Sequence, residues 1–323
     1  MPETLKTFRI GFPALKQRTY LSICDKMILH DAVRASVDEF LDALALASAD
    51  RTQHEVKVAR SRERFAKLMG LTTDEVAVTR NVSDGINTVI WAYPWGEGDN
   101  AVLTLDLEHP NNAYPWLRLR KRGVEVRAVP AAPGGRLDYA AMADAMDART
   151  RIVSFASVSY APGLRADISR IAEAAHKVDA MVLVDGVQSA GILRHNLNAE
   201  GVDAFATSTS KGLLGLYGFG FLGLAARWID RLEPAFLSRP AVASDDDSHS
   251  AMGSYDYALQ PSARRFELGG YNLAGAYAAD ASLGLLAQVG GEAIEAQTLA
   301  VARRLRAGLK EMGLLITEPL SGE

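Results

Sequence analysis

Cysteine is nearly absent from this 323-residue chain, where Cys24 stands alone. A single thiol makes no intrachain disulfide and no thiolate metal cluster. Long apolar runs are missing as well. The longest uncharged tract, Gly212 to Ala226, is rich in glycine, and it falls short of the roughly 20 apolar residues that a membrane-spanning helix needs. The opening MPETLKTFRIGF lacks the apolar stretch of a signal peptide. Nor is there a basic excess: 35 Lys and Arg against 39 Asp and Glu leave a net charge of −4, which provides no basic face for nucleic acid. The acidic run Asp245–Asp247 has no second ligand set beside it and reads as a solvated loop. These absences lead to the expectation of a cytoplasmic protein with no membrane, nucleic-acid or metal partner.

What is present is a globular composition, 48% hydrophobic and 23% charged, enough to bury a large core. Short β-branched runs at 75–79, 100–107, 124–130, 151–158, 181–185 and 203–208 alternate with helical patterns such as ISRIAEAAHKV (168–178). That alternation predicts an α/β fold with a mostly parallel central sheet and flanking helices. After Arg239 the texture turns loop-like, then helical from Asn272, with 294–313 a strong amphipathic candidate and LLITEP a possible last strand. The expected division is a large domain over 30–238, with 1–29 and 239–323 forming a smaller α+β unit.

The tract STSKGLLGLYGFGFLGL, Ser208 to Leu224, holds one charge, Lys211. Its GFGFLG matches the dinucleotide fingerprint literally, but no helix opens within it and no acidic strand end follows. The match is rejected, and GFGFLGL reads as a buried strand. Lys211 gains meaning from MVLVD, which delivers Asp185 to the carboxyl end of a strand, where α/β sheets bind ligands. Taken alone, Asp185 reads as a cap or a structural ion pair. Paired with a lysine after the next strand, it meets the needs of pyridoxal 5'-phosphate: an amine for the aldehyde and a carboxylate for the ring nitrogen. A helix opening at Val82, Ser83 and Asp84, with Ser208 and Ser210 beside the lysine, offers amides and hydroxyls to a phosphate.

With these residues assembled, the chain resembles the class V aminotransferase family of fold-type-I pyridoxal-phosphate enzymes, a group that includes cysteine desulfurases and isopenicillin N epimerase-like proteins. The resemblance rests on YLSICDKM (20–27), TRNVSDGIN (79–87), EHPNNAYPW (108–116), SVSYAPGLRADI (157–168), VDGVQSAG (184–191), STSKGLLGLYGFGFL (208–222) and RRFELGGYN (264–272).

The resemblance implies that Lys211 is the Schiff-base lysine, that Asp185 pairs with the pyridine nitrogen, and that Gln188 bonds near the ring hydroxyl. His109 would stack over the ring and move protons. Val82, Ser83, Ser208 and Ser210 would cradle the phosphate, and Gly270 and Tyr271 would reach the neighbouring subunit's phosphate in a homodimer with shared sites. The implied substrate is an amino acid or amine, and the expected activity that of an aminotransferase. A lyase, epimerase or cysteine desulfurase-like reaction is the alternative, and a pyridoxal-phosphate scaffold without turnover the alternative of another class. Tyr160, whose phenol would donate to the ring oxygen, stands where desulfurase-like members carry Asn, Ser210 where many carry His, and Gly270 where Thr is frequent. Cys24 lies in the N-terminal block rather than in the late loop that carries the desulfurase nucleophile, which disfavours that subgroup. The arginine expected for a substrate carboxylate is not seen before Glu323, and relatives are expected to continue further.

Overall fold

Seven of the apolar runs become strands of one sheet. The computed structural model describes residues 3–243 and 256–316. Its main strands are β1 (Val76–Thr79), β2 (Asn100–Leu103), β3 (Glu125–Ala128), β4 (Thr150–Ala156), β5 (Met181–Asp185), β6 (Ala204–Ser208) and β7 (Gly220–Leu224). They lie in the order β1-β7-β6-β5-β4-β2-β3. β7 runs antiparallel to both its neighbours and the other pairings are parallel. The carboxyl ends of β2, β4, β5 and β6 therefore open on the same side.

Successive strand residues point to opposite faces, and both faces here are covered, so the strands read as continuous apolar runs rather than alternating ones. Met181 and Leu183 of β5 join Ile86, Ile90, Trp116 and Leu119 from helices Val82–Ala92 and Pro110–Leu119. Val182 and Val184 join Phe65, Ile171 and Leu283 on the other face. There Phe65, on helix Arg51–Met69, stacks on Phe221 of β7 with ring centroids 4.3 Å apart. Helix Leu273–Val289, placed by the sequence with the smaller unit, packs against helices Asp31–Ala45 and Arg51–Met69 and shares this core through Ala276, Ala279 and Leu283. Helix Gly291–Glu311, by contrast, has no buried residue.

The run 100–107 is strand only as far as Leu103, and a 3₁₀ turn occupies Leu105–Leu107. Alternating leucines imitate a strand there, but the chain turns so that the following residues reach the sheet's carboxyl edge. The helix expected over 168–178 ends at His176, and the one expected over 294–313 runs Gly291–Glu311. Residues 314–316 of LLITEP are outside any strand, while the rest of that motif and Asp245–Asp247 lie outside the described residues. The strands described after Arg239 are the short pair Val242–Ala243 and Ala258–Leu259.

A buried brace ties the sheet edge to the helical layer. Glu267 has no exposed surface. Its Oε1 accepts from Arg62 Nη2 at 2.7 Å and from the Val78 N–H at 2.8 Å, and its Oε2 accepts from the Tyr271 hydroxyl. Deleting one partner of a buried ion pair leaves the other charge uncompensated, at a cost of about 3–5 kcal/mol. Glu267→Ala is expected to lose stability on that scale in urea denaturation. A loss below about 1 kcal/mol, the level of an exposed pair, would show that water compensates Arg62 and that the brace is unimportant.

Candidate active site

Two turns at the carboxyl edge determine the site. The turn after β5 carries Asp185 to Gly191, and the turn after β6 carries Ser208 to Gly215. They meet backbone to backbone. A Cβ on Gly212 would lie 2.4 Å from the Ala190 carbonyl oxygen, and one on Gly191, at φ +80°, would lie 2.4 Å from the Gly212 oxygen. No side chain fits between them, which explains the glycine directly after Lys211. The close approach brings Lys211 near enough for its charge to act on both Asp185 and His109.

Asp185 is 4% exposed. Burial pushes its carboxyl up to about 6, against the opposing pull of the Val187 N–H and the Lys211 charge. Val187 N–H donates to Oδ1 at 2.9 Å, the one hydrogen bond to this carboxylate among the described residues. The other oxygen is left for a cationic donor.

His109 caps helix Pro110–Leu119, its Nδ1 accepting from the Asn111 N–H at 3.2 Å, which places the proton of the neutral ring on Nε2. Burial, then the Lys211 charge, lowers its pKa and favours that neutral form. Tyr160 stands edge-on to the ring at 5.0 Å, and its own ring is largely exposed.

The phosphate-binding candidates converge. Asn81 caps helix Val82–Ala92 through the Asp84 N–H at 2.9 Å. Gly85 lets that helix press on β6, since a Cβ there would come within 2.9 Å of the Ala206 Cβ. Across this contact the Val82 N–H donates to Ser208 Oγ at 2.8 Å, so Ser208 and Ser83 share one helix N-terminus. Ser210 is buried beside Lys211 and its carbonyl accepts from the Met27 N–H at 3.0 Å.

That last bond shows a feature the sequence did not assign. The N-terminal segment crosses the site as a strap, with the Gln188 side-chain amide donating to the Cys24 carbonyl at 3.0 Å. Gly270 and Tyr271 stand apart. Tyr271 gives its hydroxyl to Glu267 of its own chain, while Gly270 is exposed at φ +57° with nothing within 4 Å of a would-be Cβ.

Glu108 was also missed. It follows the turn after β2 and precedes His109, and its carboxyl lies against the end of β4. Oε2 accepts from Asn112 Nδ2 at 2.5 Å and Oε1 from the Ala156 N–H at 2.7 Å. Burial, reinforced by the negative charge of Asp185, pushes it up to about 8. The available signal was its position: an acid at a strand's carboxyl end, next to a candidate catalytic histidine.

A family model, aminotransferase class V, matches residues 29–319. The chain belongs to this family. A probable cysteine desulfurase of Methanothermobacter thermautotrophicus is 34% identical over 78% of this chain and 61% of its own length. An uncharacterized aminotransferase of Bacillus subtilis, YcbU, is 28% identical over 88% of this chain and 73% of its own. Among solved structures, an apo cysteine desulfurase from Thermococcus onnurineus superposes with a TM-score of 0.84 at 25% identity, over 96% of this chain and 77% of that one. The architecture is thus the fold-type-I one that the sequence resemblance implied. Class V members are pyridoxal-phosphate proteins, and this site fits that cofactor: a buried carboxylate with one oxygen available, a neighbouring lysine, and a hydroxyl on a helix N-terminus.

The raised pKa of Glu108 has a consequence for stability. Its carboxyl ordinarily titrates at 4.5 and here at about 8. Between those values the folded state holds a proton that the unfolded state has released, so rising pH costs the folded state stability. Glu108→Gln has no such proton. Urea titrations of the two proteins from pH 4.5 to 8 should therefore show the variant gaining on wild type as pH rises, and parallel profiles would exclude the shift.

Proposed function

We propose that the chain binds pyridoxal 5'-phosphate covalently at Lys211 and acts at the α-carbon of an amino acid, with cysteine-type sulfur compounds the first substrate class to test. The observation that carries this reading is the convergence at one sheet edge of Lys211 with a desolvated carboxylate and a neutral histidine, both of which feel its charge. When bound, the cofactor supplies an electron-accepting ring. Asp185 holds a cationic ring nitrogen through its unbonded oxygen. Ser83 and Ser208, the latter fixed by the Val82 N–H, hold the phosphate at a helix N-terminus. Lys211, freed by substrate, is the base at the α-carbon, and neutral His109 faces the same space from the β2 side.

The sulfur chemistry is supported by the 34% identity to a probable cysteine desulfurase. It replaces the sequence preference for transamination, which had weighed Ser210 and the position of Cys24 against desulfurases. Transamination stands as the second reading because a relative named as an aminotransferase matches over 88% of the chain.

Borohydride treatment should fix the cofactor to the peptide containing Lys211, and label on Lys177 or Lys310 would remove the assignment. Incubation with cysteine separates the reactions by product: desulfuration leaves alanine, C–S lysis leaves pyruvate, and transamination proceeds only when an oxo acid is supplied. Asp185→Asn should fold and lose most turnover, since an amide does not hold the ring nitrogen charged.

The reading extends to a homodimer in which the segment 266–272 completes the partner's site. It is supported by the exposed Phe236, Leu237 and Leu268 near that segment, an apolar set more consistent with a covered face than with solvent. Light scattering should give a dimer at micromolar concentration, and a monomer with full cofactor occupancy would refute it.

A further inference from the structure

Behind Asp185 runs a second set of polar side chains that the reaction above does not use. Glu200 Oε2 lies 3.0 Å from His195 Nδ1, and His195 Nε2 lies 2.8 Å from Ser189 Oγ. Ser189 Oγ is 2.6 Å from Ser157 Oγ, which in turn is 3.1 Å from the Asp185 carbonyl oxygen. The His195 side chain is 1% exposed, and Ser189 and Ser157 are 0% and 1%. The order Glu, His, Ser resembles a hydrolase triad, but the serine oxygen is sealed from any substrate. The chain ends on a backbone carbonyl instead.

Counting hydrogens shows what it can do. Four contacts link Glu200 to the Asp185 carbonyl. Each hydroxyl brings one hydrogen, and the imidazole brings one when neutral or two when charged. With Glu200 ionised, the charged ring satisfies every contact in the row: His195 donates to Glu200 and to Ser189, Ser189 donates to Ser157 at 2.6 Å in preference to the Gly186 carbonyl at 3.4 Å, and Ser157 donates to Asp185. The neutral ring, its Nδ1–H on Glu200, must accept from Ser189. Ser157 then has to fill the short contact to Ser189, and the Asp185 carbonyl keeps only the Ser157 N–H at 2.9 Å.

The peptide after Asp185 is what these bonds hold. Its carbonyl takes the two Ser157 donors, and its N–H, that of Gly186, donates to the Ala206 carbonyl at 2.9 Å. The carboxylate on the same residue leans on the Val187 amide one peptide further. Turning the first peptide shifts the second, and the carboxylate with it.

We propose that His195, acting through Ser189 and Ser157, is a positioning residue for Asp185: the charged ring aims both hydroxyls at the Asp185 carbonyl, and the neutral ring turns them away. The consequence for the cofactor rests on the reading that Asp185 serves its ring nitrogen. The charged groups around His195 are Glu200, to which it is bonded, its neighbour Arg194, and Arg60, Glu63, Arg64 and Lys67, which line the same cleft of about 600 Å³. From β6 it meets only the ring of Phe205, at 5.3 Å.

The test compares wild type with Ser157→Ala, both freed of cofactor, from about pH 5.5 to 8.5, a range that covers the charge change of histidines in general. Two quantities are read: the urea midpoint of each apoprotein and its Kd for added pyridoxal 5'-phosphate. At the acid end Ser157→Ala should bind about 3- to 10-fold more weakly, the change that one neutral hydrogen bond carries. The ratio should close toward one at the alkaline end, and the gap in urea midpoints should close with it. Ser189→Ala should reproduce the pattern, and the double variant should lose no more than the worse single. A Kd ratio and midpoint gap that are both flat with pH overturn the proposal. Should Ser157→Ala fail to fold, His195→Gln decides instead, since the proposal requires it to remove a pH-dependent component of Kd and a retained wild-type profile rejects it. Absence of cofactor binding by wild type would reject the functional reading alone, because the apoprotein midpoints still decide the relay.

Discussion

Asp185 sits in a place where a carboxylate is costly. Buried at the carboxyl end of β5 with one backbone donor, it lacks the hydration that keeps an aspartate ionised in water. Its carboxyl is held near 6 rather than higher because Lys211 stands close by and the Val187 amide points at it. Everything that fixes the distance between β5's turn and β6's turn therefore bears on this one charge. The glycines at 191 and 212 matter for that reason. They allow two backbones to touch where any side chain would force them apart, and separation would leave the carboxylate without its counter-charge. The site is not inserted into the fold as a set of side chains. It is a by-product of how closely two loops pack.

The same logic explains the strap. The segment 20–28 packs Ile23, Met27 and Ile28 against the core, and it is also bonded to Ser210 on the lysine turn and to Gln188 on the aspartate turn. One crossing segment thus bridges both halves of the site and limits how far they can separate. Cys24, the single thiol, is carried on this strap with its carbonyl engaged and its side chain exposed.

Much of this is legible in the sequence alone. Strand runs ending in Asp185 and Ser208 needed only apolar continuity, because a doubly covered sheet writes itself as unbroken β-branched stretches. The pairing of Lys211 with Asp185 needed only the rule that parallel strands deliver ligands at their carboxyl ends. Other features left no local trace. Leu105 and Leu107 alternate as in a strand, and only the requirement to turn toward the sheet edge makes them a 3₁₀ turn. Ser189, His195 and Glu200 follow β5, Glu200 on the helix Leu197–Glu200, while Ser157 follows β4, so the Ser157–Ser189 contact exists only after β4 and β5 are adjacent. The resemblance implies that Tyr271 reaches a partner's phosphate, and within its own chain its hydroxyl is already engaged. The buried carboxylate that takes its hydroxyl stands four residues earlier in the same motif, and nothing in RRFELGGYN says that Glu267 faces inward.

The two acids of the site are unequal in a way that suits a cationic ligand. Glu108 and Asp185 are both desolvated, and the charge of Asp185 is part of what keeps the Glu108 proton in place. Near neutral pH the pocket therefore holds one carboxylate charge, not two, with Lys211 as its local cation. A cationic ring nitrogen arriving at Asp185 would draw that carboxyl downward and keep it ionised, and the ionised Asp185 would in turn hold Glu108 neutral. Glu108 can then accept from the Asn112 side chain and the Ala156 amide without adding a second negative charge beside the ring. His109, neutral for its own reasons, adds no positive charge to compete for Asp185. The arrangement concentrates the site's negative charge on the one oxygen that has no other donor, which is where a protonated ring nitrogen would be held most strongly.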